Sequence, residues 1–346
     1  MLHLMKIRVA RMGALAAMSC LGIAAAGCGS SPVSPGSAAS SSTHGGSPAA
    51  GQASGTAGVA YAASLAYLNE KIVGPAFATA SGLNYSGTAG PSGALESEIA
   101  SKAITPDVFE AIGGDSITPL FPKFTSWYVQ YATTSIVLAY NPRGKHASQF
   151  KAIASGAKPI TDLFALLETP GLRLGRTDPN TDPQGRAFIY MLELAQMKYH
   201  LPSDTVTKII GSPIASANSA QIFAEASLES TLQSGQLDAA SAYLSQARQL
   251  HLSYITLPSA INLGDAADAT AYHKASITIT GNATKYGSPL TIDITVISGS
   301  PTGTKFVAYV LSPAGRALHQ QGGYTLLKPT LTGSGAPASV LSELGS

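Results

Sequence analysis

The chain has 346 residues, 12% of them charged and 45% hydrophobic, so it can bury a large core and is not disordered throughout. Its length predicts about two domains. The formal net charge of +2 depends on Lys6, Arg8 and Arg11, because the 21 basic side chains less these three leave 18 against 19 acidic ones. That balance provides no basic surface for nucleic acid. The two cysteines, Cys20 and Cys28, leave no disulfide framework for the folded part.

Residues 1–27 have the pattern of an export signal, with three cations followed by an apolar run from Met12 to Ala26. The run is too short for a comfortable membrane span. It ends in Ala25-Ala26-Gly27-Cys28, which resembles the lipobox of bacterial lipoproteins, in which the cysteine is lipidated and becomes the new N-terminus. The resemblance implies that Cys28 anchors the protein to the outer face of the cytoplasmic membrane. Simple secretion with Cys28 unmodified is the alternative.

Residues 28–57 consist almost wholly of Gly, Ser, Ala, Pro and Thr. Such a segment cannot bury enough apolar surface to offset the entropy lost on ordering. We therefore predict a disordered tether that spans roughly 30 Å on average. The globular part is predicted to begin near Gly58.

From Gly58 onward, short apolar runs alternate with amphipathic stretches, which predicts the α/β class. No internal repeat is visible. The predicted elements in chain order are a strand Gly58–Ala63, a helix from Ser64 kinked at Pro75, a segment Tyr85–Gly90 leading into a helix at Ser92, strands Pro106–Glu110 and Trp127–Tyr140, helices Ile160–Leu167, Arg186–Tyr199 and Ser219–Gln233, strands Leu237–Tyr243 and Ser253–Leu257, and antiparallel strands Ala275–Thr280 and Leu290–Ile297.

Two serines, Ser64 and Ser92, open predicted helices directly after strands. A helix start offers free N–H donors and a positive dipole end, and ligands of α/β proteins bind at the carboxyl ends of strands. Both serines are therefore candidates for an anion site. The alternative is that each hydroxyl only caps its helix.

The polar run Thr177–Arg186 places Asp178, Asn180 and Asp182 at the spacing of a calcium loop. Pro183 stands where that loop needs glycine, and its final glutamate is missing, so calcium is disfavoured. The prolines instead predict a rigid turn, with Pro183 in the first turn of the following helix.

Sequence patterns of common enzymes are missing from the chain. No G-x-S-x-G motif occurs, the seven histidines are scattered, and no His/Cys group has zinc spacing. These observations disfavour a serine hydrolase and a zinc enzyme.

Five segments in order carry a family resemblance. They are AASL at 62–65, SGALESEI at 92–99, PDVFEA at 106–111, LGRTDPNTDPQGRAFIYMLELA at 174–195, and the stretch 225–263 that contains GQLDAASAY and ends in TLPSAINL. Together they closely resemble the tungstate/molybdate branch of the periplasmic-type binding proteins that serve ABC importers. The resemblance covers nearly all of residues 58–330.

The resemblance implies an α/β, two-lobed Venus-flytrap fold of type II that holds one oxyanion in the cleft. The first lobe is expected to comprise residues 58–140 plus 275–346, and the second lobe residues 141–274. It further implies a monomeric binding protein without catalysis or cofactor, which delivers its ligand to the permease of an ABC importer and meets the membrane only through its lipid.

The ligand-binding residues implied by the resemblance come from both expected lobes. Ser64 and Ser92 supply hydroxyls and N–H groups, Gln184 its backbone N–H, and Tyr243 its phenol, while the carboxylates of Asp182 and Glu225 bond to the Mo or W atom. Gln184 replaces a family cysteine, so a contact made by its backbone should survive, whereas its side chain has no assigned role. The full implied set is Ala63, Ser64, Ser92, Asp182, Pro183, Gln184, Glu225 and Tyr243.

Two other functions stay open at this stage. One is a binding protein of the same fold for another small anion such as sulfate, phosphate or an organic acid. The other is an exported enzyme or adhesion lipoprotein that reuses the fold without serving transport. Asp182 and Glu225 could also form ordinary surface salt bridges instead of a ligand site.

Overall fold

A computed structural model describes residues 55–345. The predicted export signal, Cys28 and most of the predicted tether lie outside the described residues. Within them, the predicted α/β class is confirmed, with two larger sheets, a two-stranded ribbon and flanking helices. None of the helices in this range is both long and apolar enough to cross a membrane.

The strands belong to three sheets. The larger has the order β12-β4-β11-β3-β1-β2, the smaller has the order β6-β7-β5-β8, and β9 pairs with β10 in a ribbon. In chain order they are β1 Thr56–Ala62, β2 Asn84–Gly90, β3 Val108–Ile112, β4 Trp127–Thr133, β5 Ile136–Tyr140, β6 Leu174–Gly175, β7 Ala239–Tyr243, β8 Ser253–Ile255, β9 Ser276–Thr278, β10 Thr284–Tyr286, β11 Thr291–Val296 and β12 Thr325–Gly333.

The helices pack on both sheets, and several are preceded or joined by short 3₁₀ or π turns. In chain order they are α1 Ala66–Leu68, α2 Gly74–Ser81, α3 Ser92–Ala100, α4 Ala147–Ala154, α5 Thr161–Leu167, α6 Pro183–Tyr199, α7 Thr205–Ile210, α8 Glu225–Gln233, α9 Leu244–Gln249, α10 Ser259–Asn262, α11 Ala269–Tyr272, α12 Pro301–Leu311, α13 Pro313–Gln321 and α14 Ala338–Leu341.

The larger sheet is parallel at one end and antiparallel at the other. β1 lies parallel to both β2 and β3, while β11 runs antiparallel to β3 and β4. Every residue of β3 and β11 is buried, as expected for strands covered on both faces. The carboxyl ends of β1, β2 and β3 therefore meet at one edge of this sheet.

The predicted strand Trp127–Tyr140 is wrong as a single element. It is two strands in different sheets, β4 in the larger and β5 in the smaller. The chain crosses between them at Thr134 and Ser135, where the Thr134 N–H donates to Leu290 O (3.0 Å) and Ser135 O accepts from Leu244 N–H (2.8 Å). The run looked continuous because residues 131–140 are all buried, across the crossing as well as in the strands.

Two further predictions need correction. The helix expected from Ser219 begins at Glu225, because Gln221 and Phe223 instead form backbone hydrogen bonds with Arg176. The strands predicted at 275–280 and 290–297 do not pair with each other: β9 pairs with β10, whereas β11 lies between β3 and β4.

The helical segment after β1 is irregular, as the proline within it suggested. A 3₁₀ turn Ala63–Leu65 leads into α1, a π-helical turn Asn69–Val73 follows, and Pro75 lies in the first turn of α2. A proline has no N–H for the preceding turn, and a π turn is one of the usual accommodations.

Candidate functional site

Two predicted site serines lie side by side at one edge of the larger sheet. Ser64 lies in the turn after β1 and Ser92 begins α3 after β2, and the ends of these parallel strands, Ala62 and Gly90, are paired. Ser92 Oγ accepts a hydrogen bond from the N–H of Ile112 (3.2 Å), at the end of β3. The structure thus brings both serines to the edge where ligands of α/β proteins usually bind.

The alternative that these serines are simple helix caps is wrong. The cap positions are Ala62 and Pro91, and neither Ser64 nor Ser92 makes a capping side-chain hydrogen bond. Both serines are nonetheless buried, at 3% and 0% exposure.

The start of α6 positions Asp182, Pro183 and Gln184. Asp182 is the N-cap, and its Oδ1 accepts from the backbone N–H of Gln184 at 2.8 Å. Pro183 is the first residue of α6, as the sequence predicted, because its fixed backbone angle suits that position. The Gln184 N–H expected to face a ligand is therefore engaged by Asp182.

Glu225 and Tyr243 come from neighbouring elements of the smaller sheet. Glu225 is the first residue of α8, and Tyr243 is the last residue of β7, directly before α9. Three helices, α6, α8 and α9, thus begin next to predicted site residues, and their starts carry positive dipole ends suited to an anion.

The two groups of residues face each other. The Gly93 N–H, in the first turn of α3, donates to the carbonyl oxygen of Thr181 (3.0 Å), directly before Asp182. The Ser64 backbone N–H lies close enough to the Glu225 carboxylate to lower its pKa. Residues carried by the larger sheet therefore meet residues carried by the smaller one across a single narrow cleft.

Among the described residues, three buried polar atoms at this cleft have no hydrogen-bond partner: Ser64 Oγ, Asp182 Oδ2 and Tyr243 Oη. Each belongs to a side chain that is at most 3% exposed. An unsatisfied buried polar group costs about 1–3 kcal/mol, so native proteins rarely keep one without a reason. Three such atoms at one place indicate a site shaped for a polar guest.

The acidic side chains of the cleft hold protons more tightly than usual. Burial raises the pKa of Asp182 to about 6, against the lowering effect of the Gln184 N–H. Burial, reinforced by the charges of Asp182 and Glu229, raises the pKa of Glu225 well above its ordinary value. Burial likewise raises the pKa of Glu229 to about 7. The cleft can therefore vary its negative charge near neutral pH.

The surface-salt-bridge alternative is excluded by the same geometry. Asp182 is 3% and Glu225 is 5% exposed, and among residues 55–345 neither forms an ion pair.

The residues at the spacing of a calcium loop form a turn: Asp178 Oδ1 accepts hydrogen bonds from the backbone and side-chain amides of Asn180. The described chain also contains no group of three or more His, Cys, Asp or Glu residues that could hold a metal ion.

A cavity of about 170 Å³ opens beside the site. Ala63 and Ser64 line one side, and Glu225, Glu229 and Gln246 line the other. Ala63, which the family resemblance implied as a ligand-binding residue, thus lies at the cleft.

Three contributors were missed by the sequence analysis: Glu229, Gln246 and the Gln184 side chain. Gln246 follows Tyr243 by three residues, and its Oε1 accepts from the Tyr243 N–H (3.2 Å). A glutamine three residues into a helix is one half of a capping box, a signal that could have drawn attention to it. Glu229 lies one helical turn after Glu225 and could have been found by that spacing.

A family model for bacterial extracellular solute-binding proteins matches residues 57–325. The chain therefore belongs to this family, which confirms the resemblance seen in the sequence and the prediction of a binding protein instead of an enzyme. The periplasmic molybdate-binding protein of Azotobacter vinelandii has a similar structure, with a TM-score of 0.52 over 78% of this chain and 99% of that one at 18% identity. The predicted two-lobed α/β fold is confirmed by these findings.

Curated relatives include molybdate/tungstate-binding proteins WtpA of two archaea. The protein of Pyrococcus abyssi is 29% identical over 242 residues, which cover 64% of this chain and 68% of the relative. That of Thermococcus kodakarensis is 28% identical, covering 64% of this chain and 66% of the relative. The match thus spans about two thirds of each relative's length. Their names describe a bound solute, in keeping with a protein that needs no cofactor.

Proposed function

We propose that this protein captures molybdate or tungstate outside the cytoplasm and delivers it to the permease of an ABC importer. The observation that carries the proposal is the set of three unpartnered buried atoms, Ser64 Oγ, Asp182 Oδ2 and Tyr243 Oη, in one cleft. The hydroxyls of Ser64 and Tyr243 can donate hydrogen bonds to oxyanion oxygens, while Asp182 Oδ2 cannot donate when ionised. The relatives' names point to the same ligands.

The acidic residues favour these two oxyanions over sulfate. Two ionised carboxylates at about 4 Å from a dianion would repel it by on the order of 15 kcal/mol in a partly desolvated cleft, because each pair of unit charges contributes about 4 kcal/mol. Asp182 and Glu225 are tolerated there if they bond to the central atom or take up protons. Mo(VI) and W(VI) readily expand their coordination from four to six oxygens, whereas the sulfur of sulfate does not. The pair would therefore select by bonding as well as by size.

The remaining parts of the proposal concern location and partners. The export signal and the lipidation of Cys28 would hold the protein at the outer face of the cytoplasmic membrane, with residues 28–57 as a tether. The protein would act as a monomer, touch the membrane only through its lipid, and release its anion to the permease when the lobes open.

Calorimetric titration of the purified protein with molybdate, tungstate, sulfate and phosphate tests this function. We expect molybdate and tungstate to bind at least about 100-fold more tightly than the other two, a difference of about 2.7 kcal/mol. Equal affinity for sulfate and tungstate would refute the selection by carboxylates. Preferential binding of sulfate or phosphate would favour a different anion, and no binding of any of the four would exclude the proposed function.

The same titration, repeated with the variant Tyr243→Phe, tests where on the protein the anion binds. Removing a hydroxyl that donates to an anion should weaken molybdate binding by about tenfold or more. The free energy of unfolding of the ligand-free protein should not fall, because that hydroxyl has no hydrogen-bond partner within residues 55–345. Tyr254→Phe on β8 is the matched control and should bind like the unaltered protein. Unchanged binding by Tyr243→Phe would place the anion elsewhere.

A further inference from the structure

The side chain of Gln184 lies at the base of the cleft and is completely buried. Its amide nitrogen, Nε2, donates one hydrogen bond to Glu225 Oε1 and one to Gln246 Oε1, both at 3.0 Å. Its amide oxygen accepts from the Ser241 hydroxyl, also at 3.0 Å. Both donor hydrogens of this amide are therefore used, and its orientation is fixed by three partners.

Gln246 forms a second amide beside the first. Its Nε2 donates to Glu225 Oε1 at 2.8 Å and to Glu229 Oε1 at 3.0 Å. Its Oε1 accepts from Gln184 and from the Tyr243 N–H. Gln246 thus lies between two acidic side chains and supplies each with a hydrogen-bond donor, while its own position is tied to the residue that ends β7.

Both amides donate to the same oxygen of Glu225. An ionised carboxyl group has two equivalent oxygens and can turn about its terminal bond, so either oxygen could otherwise meet a ligand. Two N–H donors on Oε1 occupy its lone pairs and fix the plane of the group. Among residues 55–345 no other side-chain hydrogen bond reaches this carboxylate, although the Ser64 N–H lies near it, so Oε2 is the oxygen that can bond to an atom outside this network.

We propose that Gln184 and Gln246 are positioning residues, whose side-chain amides hold Oε1 of Glu225 so that Oε2 is presented to the Mo or W atom of the bound oxyanion. This inference rests on the proposed function. It gives the side chain of Gln184 a role that its backbone does not have, since the backbone N–H is engaged by Asp182. It also makes Ser241, at 1% exposure, the support that keeps the Gln184 amide from turning over.

The competing explanation is that Gln184 merely fills space in the core. An isosteric replacement separates the two explanations. Gln184→Glu keeps the shape of the side chain but, when ionised, has no N–H to donate, whereas Gln184→Met keeps much of the volume and has no donor at all. A space-filling role tolerates at least one of them, and a positioning role tolerates neither.

The first measurement is the molybdate affinity of both variants. We expect each to bind about 10- to 100-fold more weakly than the unaltered protein, the range expected when hydrogen bonds to a charged group are lost. Gln196→Met is the matched control, because Gln196 lies on the same helix α6 and its amide donates to Ser203 O (3.3 Å) instead of to an acidic side chain. Affinity unchanged in either Gln184 variant would overturn the proposal.

The second measurement reports the position of Glu225 directly. X-ray absorption at the molybdenum edge distinguishes four-coordinate from six-coordinate molybdenum, and it can be recorded at saturating molybdate even for a weak binder. We expect six-coordination in the unaltered protein and the Gln196→Met control, and a lower coordination number in Gln184→Met and Gln246→Met. A four-coordinate unaltered complex, or unchanged six-coordination in both variants, would overturn the proposal.

Failure of this inference can be told apart from failure of the proposed function. If the unaltered protein binds neither molybdate nor tungstate, the function itself is wrong. If it binds them and the Gln184 and Gln246 variants behave like Gln196→Met, the function stands and only the positioning role is lost.

Discussion

At the scale of single residues, the cleft holds several acidic side chains in a buried environment that disfavours their ionised forms. Asp182, Glu225 and Glu229 are all at most 8% exposed, and burial is the largest cause of the raised pKa of each. Amide donors from Gln184 and Gln246 offset part of that cost but supply no positive charge. A site built this way stores unfavourable electrostatics, which an anionic guest relieves only if its central atom bonds to the carboxylates or if they take up protons.

These raised pKa values predict that the ligand-free protein loses stability as the pH rises from about 4 to about 7. Unfolded Asp and Glu titrate near 3.9 and 4.3, whereas the folded values are about 6 for Asp182 and about 7 for Glu229. Between about pH 4 and pH 7 the folded state therefore binds more protons than the unfolded state. The stabilisation that these protons provide is complete below this pH range and is lost above it. We expect about 1–3 kcal/mol per group. Urea unfolding at pH 5 and pH 8 measures the difference.

The control for this pH dependence is the protein with Asp182→Asn and Glu229→Gln together. These amides do not titrate, so the difference in the free energy of unfolding between the two pH values should shrink. An equal pH dependence in the unaltered and altered proteins would show that other groups cause it.

Residue-level features of the site came from two sources. Ser64 was predicted because it opens a helix after a strand, whereas Asp182, Glu225 and Tyr243 were implied by the family resemblance, and the structure places all four at the cleft. Gln246 was not predictable in the same way, because a glutamine carries no charge and its value depends on which two acids it happens to join. Its spacing from Tyr243 indicates a capping box, whereas its two acidic partners are decided by where α8 lies relative to α9.

At the scale of elements, the approach of α3 to the turn before α6 depends on a glycine. The Gly93 N–H donates to Thr181 O, and a Cβ added at Gly93 would lie 2.8 Å from that same backbone oxygen. Such a contact is shorter than atoms tolerate, so the two elements would have to separate. The tightness of the cleft is therefore set in part by the lack of a single methyl group.

We predict that Gly93→Ala weakens molybdate binding while leaving the lobes folded. Overpacking typically costs about 1–3 kcal/mol, which corresponds to roughly 5- to 150-fold in affinity. Gly58→Ala on β1 is the matched control, since its added Cβ would meet Asp107 at an ordinary 3.5 Å. Calorimetric titration of both variants makes the comparison, and equal affinities would show that the contact between α3 and the turn is not needed for binding.

Element types were more predictable than their partners. Periodicity indicated α5, most of α6 and the strands β1, β3 and β7, because each has one clear pattern along its length. The run 127–140 shows where prediction from periodicity fails. No glycine or proline stands at the crossing, which is formed by Thr134 and Ser135, and the residues on both sides of it are buried. Which sheet a buried strand joins is decided by long-range pairing, and local sequence does not record it.

At the scale of the whole molecule, the site is divided between the two sheets. Ser64 and Ser92 follow strands of the larger sheet, whereas Glu225 and Tyr243 belong to elements of the smaller one. The short crossing at Thr134 and Ser135 joins β4 of the larger sheet directly to β5 of the smaller one. A ligand held by both sides stabilises only the arrangement in which the sides meet.

This division predicts that molybdate makes the protein more compact. Small-angle X-ray scattering should show a smaller radius of gyration with saturating molybdate than without it, because a ligand shifts the population toward the state that it binds more tightly. Shifting that population from 1:99 to 99:1 requires about 10⁴-fold tighter binding to the closed state, which contacts from both lobes can supply. Sulfate at the same concentration is the control and should leave the radius near its ligand-free value. An unchanged radius at a concentration where calorimetry shows full occupancy would mean that binding does not require closure, and that the two halves of the site are already joined before the anion arrives.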